Sequence, residues 1–407
     1  MPPTTDVLLA QTLREEAGVL VARLSRRFGD FDLAEEAVQS AVVEALTSWR
    51  RDGPPDRPGA WLQVAAQRNA LDAVRRAARQ RGLAARAEPP ASERSGTDDR
   101  LALLFACCHP ALAPEARLAL TLRAVVGLTT PQIARAFLVN EATLAQRIVR
   151  AKRKIVTAGI ALAVPPPAEL PERLGDVLAV VYVMFNEGFV SSTGATQDRD
   201  LEADAVWLAE VVATSLPAEA EAWGLAALLT IQHARAATRF DGSGALVLLR
   251  DQDRSLWDRA ALATGEAHLE RAAALHAPGR YQLQAAIAAC HASSPSWAET
   301  DWLQIITLYD VLLRHDPSPV PRLNRAVALA QLGPEQAEVA LAEVDALADR
   351  LEGYHLFHAT RAELLDRLGR ESEAAQANGR ALELTTNDAE RRLLTTRLHR
   401  HPLTDGS

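Results

Sequence analysis

Residues 128–155 read LTTPQIARAFLVNEATLAQRIVRAKRKI. Two short helical patterns flank a break at Leu138, Val139 and Asn140. In the first, Thr130 stands where a side-chain oxygen caps a helix, and Pro131 suits the first helical position because it has no N–H to satisfy. Ile133, Ala134 and Phe137 fall on the inward side. In the second, Asn140 is placed to cap EATLAQRIVRAKRK, with Leu144 and Ile148 inward. Two short helices, a three-residue turn and a basic second helix predict a helix-turn-helix. Leu138 sits where this motif often has Gly, whose left-handed backbone is costly for Leu, so a slightly different turn is expected. Thr143, Gln146, Arg147 and Arg150 recur at three- and four-residue steps and share an exposed face. Arg and Gln are the side chains that read guanine and adenine edges in a major groove. Lys152, Arg153 and Lys154 suit phosphates, which fix register without reading sequence. A solvated helix end accounts for the lysines through the helix dipole, but not for the capped turn before them.

Working back towards the N-terminus, apolar residues from Leu8 to Phe28 recur at helical spacing. Asp32 is a plausible cap for the next helix, with Glu35 in a capping-box position, and that helix extends to about Trp49. The loop RRDGPPDRPG breaks it. A third helix begins near Ala60 and passes Arg79. Its segment WLQVAAQRNALDAVRR combines aromatic, amide and basic groups. Trp61 suits a core position. Beside Arg68, Asn69, Arg75 and Arg76 it also suits a platform for a partly unstacked strand, where stacking contributes about 1–3 kcal/mol per base.

The whole chain of 407 residues has 48% hydrophobic content and reads as all-α, since Ala and Leu dominate and no long stretch alternates apolar with polar residues. A net charge of −8 excludes a uniformly basic nucleic-acid binder. The charge is uneven, however: residues 68–86 hold six Arg against one Asp, and residues 141–154 hold five Arg or Lys against one Glu. Two basic islands in an acidic chain imply two anion contacts. Two segments read as linkers, the acidic EPPASERSGTDD at 88–99 and the proline-rich AVPPPAELP at 163–171. The expected organisation is therefore blocks at 1–87, 100–162 and 172–407.

The third block ends in two similar units, NRAVALAQLGPEQAEVALAEVDAL from Asn324 and RAELLDRLGRESEAAQANGRALEL from Arg361. Their Leu-Gly pairs are 36 residues apart, close to a tetratricopeptide period. Such pairs stack and leave a concave groove. Only three Cys are present, which is no disulfide framework and fits a reducing compartment. Adjacent Cys107 and Cys108 are poorly spaced for one tetrahedral ion, so neither a metal nor a cofactor is expected. The apolar run Val177–Phe185 is too short to span a bilayer, and residues 1–16 lack the pattern of a signal peptide. A cytoplasmic protein without membrane contact is expected.

The order of these motifs resembles the extracytoplasmic-function sigma factors over residues 8–160. FDLAEEAVQSAVVEAL is similar to their region 2.2, PGAWLQVAAQRNALDAVRR to regions 2.3 and 2.4, and the opening stretch to region 4. The resemblance implies a sigma region 2 domain (1–87), a linker threading towards the RNA exit path (88–99) and a region 4 domain (100–162). After the proline-rich linker it implies a tetratricopeptide-like helical domain at 172–407. Asp32, Glu35, Glu36 and Gln39 would then face the beta-prime clamp of core RNA polymerase. Trp61, Arg68, Asn69, Arg75 and Arg76 would melt and read the minus-10 element, with the Arg51–Gly59 loop near a flipped base. Thr130, Gln132, Thr143, Gln146, Arg147, Arg150, Lys152, Arg153 and Lys154 would face the minus-35 element, and region 4 would meet the beta flap. The third block resembles the tail of extended members of the family, through VLAVVYVMFNEGF, LLRDQDRSLWD and YHLFHATRAELLDRLGR. That tail is expected to regulate the factor and to offer a surface for a protein partner.

Two rivals differ in class. An ordinary helix-turn-helix regulator with a sensing repeat domain leaves the residues 1–87 block unexplained. An enzyme in the third block would use polar groups such as Asn186, Glu187, Asp200 and Asp204, which capping and turns explain as well. No phosphate loop, nucleophile elbow or HExxH motif is present.

Overall fold

The computed structural model describes residues 5–80, 99–137, 139–191 and 201–400. These residues form nineteen α-helices and no strand beyond a single bridge between Phe240 and Leu246. The acidic 88–98 segment and Leu138 lie outside the described residues. The chain divides into two compact units, Met1–Glu187 and Gly188–Ser407.

The first unit opens with α1 (Thr5–Phe28), α2 (Phe31–Asp52) and α3 (Pro58–Gln80), which pack on one another. Buried Ala34, Ala37, Ala41 and Ala45 line one side of α2, and Ala65, Ala66 and Ala70 line α3. The cap of α2 is Asp30, not Asp32: the Asp30 carboxylate accepts from the Leu33 amide at 3.0 Å. The helix starts at Phe31 because that ring is buried, which leaves Asp32 exposed in the first turn.

Next come α4 (Asp99–Cys107), α5 (Pro114–Thr121), a π-helical turn at Leu122–Val126, α6 (Thr130–Ala136) and α7 (Glu141–Thr157). Asp99, at the start of α4, pairs with Arg23 at 3.1 Å and with Arg26, so α4 is fastened to α1. Gly18 lies where α1 meets the π-helical turn: a Cβ there would stand 2.9 Å from the Val125 carbonyl oxygen. Burial pushes the Cys107 thiol well up and the Cys108 thiol up to about 12, so both remain protonated small hydrophobes. Helix α8 (Leu170–Ser191) begins inside the proline-rich segment. Its first turns fasten to the α4–α5 region: Arg173 donates to the Phe105 carbonyl at 2.7 Å and Asp176 pairs with Arg117 at 2.7 Å.

The second unit runs through α9 (Leu201–Ser215), α10 (Ala220–His233), α11 (Arg259–Ala274), α12 (Arg280–Ser293), α13 (Trp302–His315), α14 (Pro319–Leu329), α15 (Pro334–Asp345), α16 (Ala348–Leu351), α17 (His355–Arg367), α18 (Glu371–Leu384) and α19 (Asp388–Arg400). Successive helices pack on their chain neighbours, as in a helical-repeat array. The two similar sequence units are the helix pairs α14–α15 and α17–α18, joined through Gly333 and Gly369 at positive φ. Buried positions in the first helices match at 36 residues (Ala326 with Ala362, Ala328 with Leu364). Those in the second helices match at 37 (Ala337 with Ala374, Ala340 with Ala377, Val344 with Ala381). The offset changes because Pro334 starts its helix directly after Gly333, whereas Arg370 intervenes after Gly369.

His291, on α12, stacks on Trp297 at 5.8 Å and meets the edge of Trp302 at 5.4 Å. Burial, with the charges of Arg235 and Arg254, brings it down to about 4. Its ordinary value is about 6.5, so protons bind the unfolded chain more readily between those limits. The neutral ring is therefore compatible with the fold above pH ~6.5, and stability is lost as pH falls towards 4. Relative to a His291→Gln chain, the protein is expected to lose about 2–3 kcal/mol of unfolding free energy between pH 7.5 and 4.5. Urea titrations at both pH values, followed by tryptophan fluorescence, measure this; parallel losses in the two chains would refute it.

Candidate polymerase and nucleic-acid interface

The helix-turn-helix forms at α6 and α7. Its first cap is Thr129 rather than Thr130. The Thr129 hydroxyl accepts from the Gln132 amide at 3.4 Å, while the Gln132 side-chain oxygen accepts from the Thr129 amide at 2.8 Å. This reciprocal capping box makes Thr130 the first residue of α6 and Pro131 the second. Gln132 thus uses its oxygen locally and keeps its amide N–H groups as donors. Asn140 caps α7 as its position requires, accepting from Ala142 at 2.9 Å and Thr143 at 3.4 Å. Ile133, Ala134, Leu144 and Ile148 are buried, and Phe137 is half-buried. Thr143, Gln146 and Arg150 are exposed and Arg147 half-buried on the outer face, with Arg153 and Lys154 exposed beyond them.

Lys152 is different. It is only 8% exposed, and its ammonium lies 2.9 Å from Asp32 and also pairs with Glu35. The helical wheel contains the reason: nine residues beyond Thr143, Lys152 lies about 180° round α7, on the side of Leu144, Ile148 and Ile155. Its charge suggested phosphate, whereas its position on the wheel already assigned it to the inner face.

On α2, Glu36 and Gln39 are exposed. Glu35 is the centre of a small ion cluster, pairing with Lys152 and Arg123 and accepting from Gln39 at 3.3 Å. Asp32 keeps 75% of its side chain exposed while Glu35 keeps 13%. A groove of about 260 Å³ brings Asp32, Glu35, Glu36 and Gln39 together with Arg123, Thr130 and Lys152.

On α3, Trp61 is half-buried and packs edge-on against the buried Trp49 at 5.6 Å. The core alternative therefore describes Trp49 fully and Trp61 in part. Arg68 and Asn69 converge on one acceptor that the sequence reading missed, Glu44 of α2. Asn69 donates to it at 3.0 Å and Arg68 pairs with it. Arg75 leans on Asp72 at 3.6 Å, and Arg76 is exposed. An open groove of about 560 Å³ between α2 and α3 is lined by Glu36, Ser40, Glu44, Asn69 and Arg76. At the C-terminal end of α2, Asp52 is held below the usual carboxylate range by a hydrogen bond from Arg51. The polar groups named for an enzyme do not all lie within view: Asp200 is outside the described residues, Asn186 is exposed, and Asp204 is buried in α9.

A three-helix domain with an acidic face and an aromatic-basic helix, followed by a helix-turn-helix, has the architecture of a promoter-recognition factor. The comparisons agree. The sigma-70 region 2 family model matches residues 13–80 and the sigma-70 region 4 model matches residues 102–155. A family of unknown function (DUF6596) matches residues 173–273. An uncharacterized protein of Rhizobium meliloti (strain 1021) is 43% identical over 403 residues, covering 95% of this chain and 93% of that one. No solved structure matches the chain. The chain belongs to the sigma-70 family, as an extracytoplasmic-function-like sigma factor with an additional C-terminal domain. It is a transcription initiation factor that works with RNA polymerase and promoter DNA. The region 2 match accounts for the block that the ordinary-regulator rival left unexplained. Among the described residues no helix is long and apolar enough to cross a membrane.

Because the Asn140 side chain holds two first-turn amides of α7, Asn140→Ala is expected to cost about 1 kcal/mol of stability. Urea denaturation followed by circular dichroism tests this; an unchanged midpoint would show that the cap contributes nothing.

Proposed function

We propose that α2 meets the beta-prime clamp through Asp32, Glu35, Glu36 and Gln39, and that region 4 meets the beta flap. On this reading Trp61, Arg68, Asn69, Arg75 and Arg76 open and read the minus-10 element. Glu44 acts as a positioning residue that orients Arg68 and Asn69. Thr143, Gln146, Arg147 and Arg150 read the minus-35 element, Thr130 and Gln132 sit at its edge, and Arg153 and Lys154 hold phosphates. Lys152 joins them only when it leaves Asp32 and Glu35. The observation that carries this reading is the capped α7, whose inner apolar line is buried and whose outer line of Thr143, Gln146 and Arg150 is free of the fold. The protein acts in the cytoplasm, needs no cofactor and leaves the chemistry to the polymerase. Its helical-repeat unit regulates the sigma core and offers a surface to a protein partner. Initiation by purified chain and core polymerase, from a promoter upstream of its own coding sequence, is the direct test.

Glu36 and Gln39 are exposed members of the α2 set, and their double replacement by Ala removes the Gln39 hydrogen bond to Glu35 but leaves the ion pairs of Glu35 with Arg123 and Lys152 in place. Core polymerase binding by that variant is expected to fall at least tenfold with helicity unchanged. Equal co-purification with core enzyme would remove the clamp assignment.

Arg147→Ala is expected to cost about 1–3 kcal/mol at a preferred promoter and to relax preference at one position. Lys154→Ala should instead weaken all sequences similarly and lower the salt slope by about 1. Binding titrations across salt, on cognate and scrambled duplexes, separate the two. Identical behaviour of the variants would sink the division between base and phosphate contacts.

A further inference from the structure

In the second unit, two guanidinium groups converge on one indole. Arg235, just past the end of α10, lies 5.9 Å from the Trp257 ring centroid, and Arg254 lies 5.1 Å from it. Arg254 opens a single 3-10 turn, Arg254–Leu256, shortly before α11. Trp257 is buried with Ile231, Ala234 and Ala292, so the ends of α10 and α12 meet at this ring. Its indole N–H donates to the Thr238 hydroxyl at 3.0 Å.

Cations in this region exceed their partners. Among the described residues, neither Arg235 nor Arg254 forms an ion pair. The buried carboxylate of Glu202 is already met by Arg239 and His233, and the exposed Glu299 accepts from Ser296 at 2.9 Å. Arg254 is only 9% exposed. Its Nη1 donates to the His291 and Ser294 carbonyls, each at 2.5 Å, while its buried Nη2 has no acceptor. The Nδ1 of His291 is buried without a partner as well. Arg235 gives one nitrogen to the neutral side-chain oxygen of Gln232. Burial, with the charges of Arg239 and Arg254, brings Arg235 down to about 10. Taking a guanidinium out of water is costly unless an anion and hydrogen-bond acceptors replace the water.

We infer that Arg235, Arg254 and His291 form a binding site for a phosphate group carried by a small molecule. Three sets of donors are open to it: Nη2 of Arg254, the remaining N–H groups of Arg235, and the Nδ1–H tautomer of His291. They come from three elements, the end of α10, the 254–256 turn and α12. A tetrahedral oxyanion offers acceptors in three directions, whereas a carboxylate offers two in one plane, and the arginine fork suits phosphate. Arg254 forms the floor, and the half-buried Arg235, His291 and Trp297 supply the route from solvent. Trp297 lies parallel to the His291 ring, within 9°, at the border of the site, where a ring attached to the phosphate can stack. All these groups belong to the second unit, so the site stands whether or not the sigma-factor reading does.

The test is a titration of the full-length chain, without polymerase, followed by tryptophan fluorescence at constant ionic strength. Inorganic phosphate is expected to give a saturable change that sodium acetate does not. Arg235→Gln should weaken phosphate binding at least tenfold, with helicity unchanged by circular dichroism. His291→Phe keeps a ring against Trp297 but removes the donor, and should weaken it severalfold; it carries the test if the arginine variant fails to fold. Arg271→Gln is the control, since Arg271 is exposed over a different indole, Trp223, and its loss should leave the affinity unchanged. Adenosine monophosphate separates the sources. Binding at least tenfold tighter than inorganic phosphate supports the site and assigns a nucleotide, and equal binding supports it and assigns free phosphate. No saturable change with either probe, or equal affinity in the parent, Arg235→Gln and His291→Phe chains, would overturn the site. An equal response to acetate would overturn the choice of phosphate.

Discussion

Close approach of helices through buried alanine is the constraint on which both units depend. The chain has few aromatic residues, and its interior positions are filled repeatedly by Ala: Ala34, Ala41 and Ala45 on α2, Ala66 and Ala70 on α3, Ala222 and Ala227 on α10, and Ala326, Ala337 and Ala362 in the repeat pairs. Small side chains shorten the distance between helix axes, so backbones come near contact at the tightest crossings. At Gly224 a Cβ would lie 2.6 Å from the backbone nitrogen of Gln282, which leaves no room for any larger residue unless α10 and α12 separate. Packing of this kind fixes register because each crossing accepts one arrangement of small and large residues.

Within that frame, charged groups decide how particular helices are matched. Burying Glu35 alone would be costly, and the cost is offset by two cations from region 4. The second unit uses the same device. Glu202 is almost fully buried on α9 and is met by Arg239 and by His233 at 3.1 Å. Burial pushes its pKa up, but hydrogen bonds and charges from His233 and Arg239 outweigh burial and hold the carboxyl below its usual range. In both places the ion pair specifies which surfaces meet, and truncating one partner leaves the other charge desolvated.

The position of α8 connects the two family regions covalently and physically. Residues matched by the model of unknown function begin at 173, yet Arg173 and Asp176 complete the α4–α5 side of the first unit. A chain ending after the proline-rich segment would lose the donor to the Phe105 carbonyl and the partner of Arg117. A change in its behaviour would therefore combine loss of the repeat unit with loss of support for region 4. The proline-rich segment is an irregular connection in the backbone, but the first compact unit continues beyond it to Glu187.

The sequence by itself determined the helical class, the helix-turn-helix, the inner and outer faces of α7 and the paired helices 36 residues apart. Each of these is periodic or local: spacing near 3.6 selects a face, and a cap acts within one turn. Caps came out one or two residues away, at Asp30 and Thr129, because several adjacent polar residues can serve and burial of Phe31 or reciprocity with Gln132 selects among them. Only the tertiary structure decided where the charges point. Glu44 gathers Arg68 and Asn69 from 24 and 25 residues away, and Asp32 and Glu35 take Lys152 from 120 and 117 residues away. An ionic side chain has the same local signature whether it faces phosphate, solvent or a carboxylate. Its partner is selected only when chain folding brings distant helices to within a few ångströms and removes the water between them.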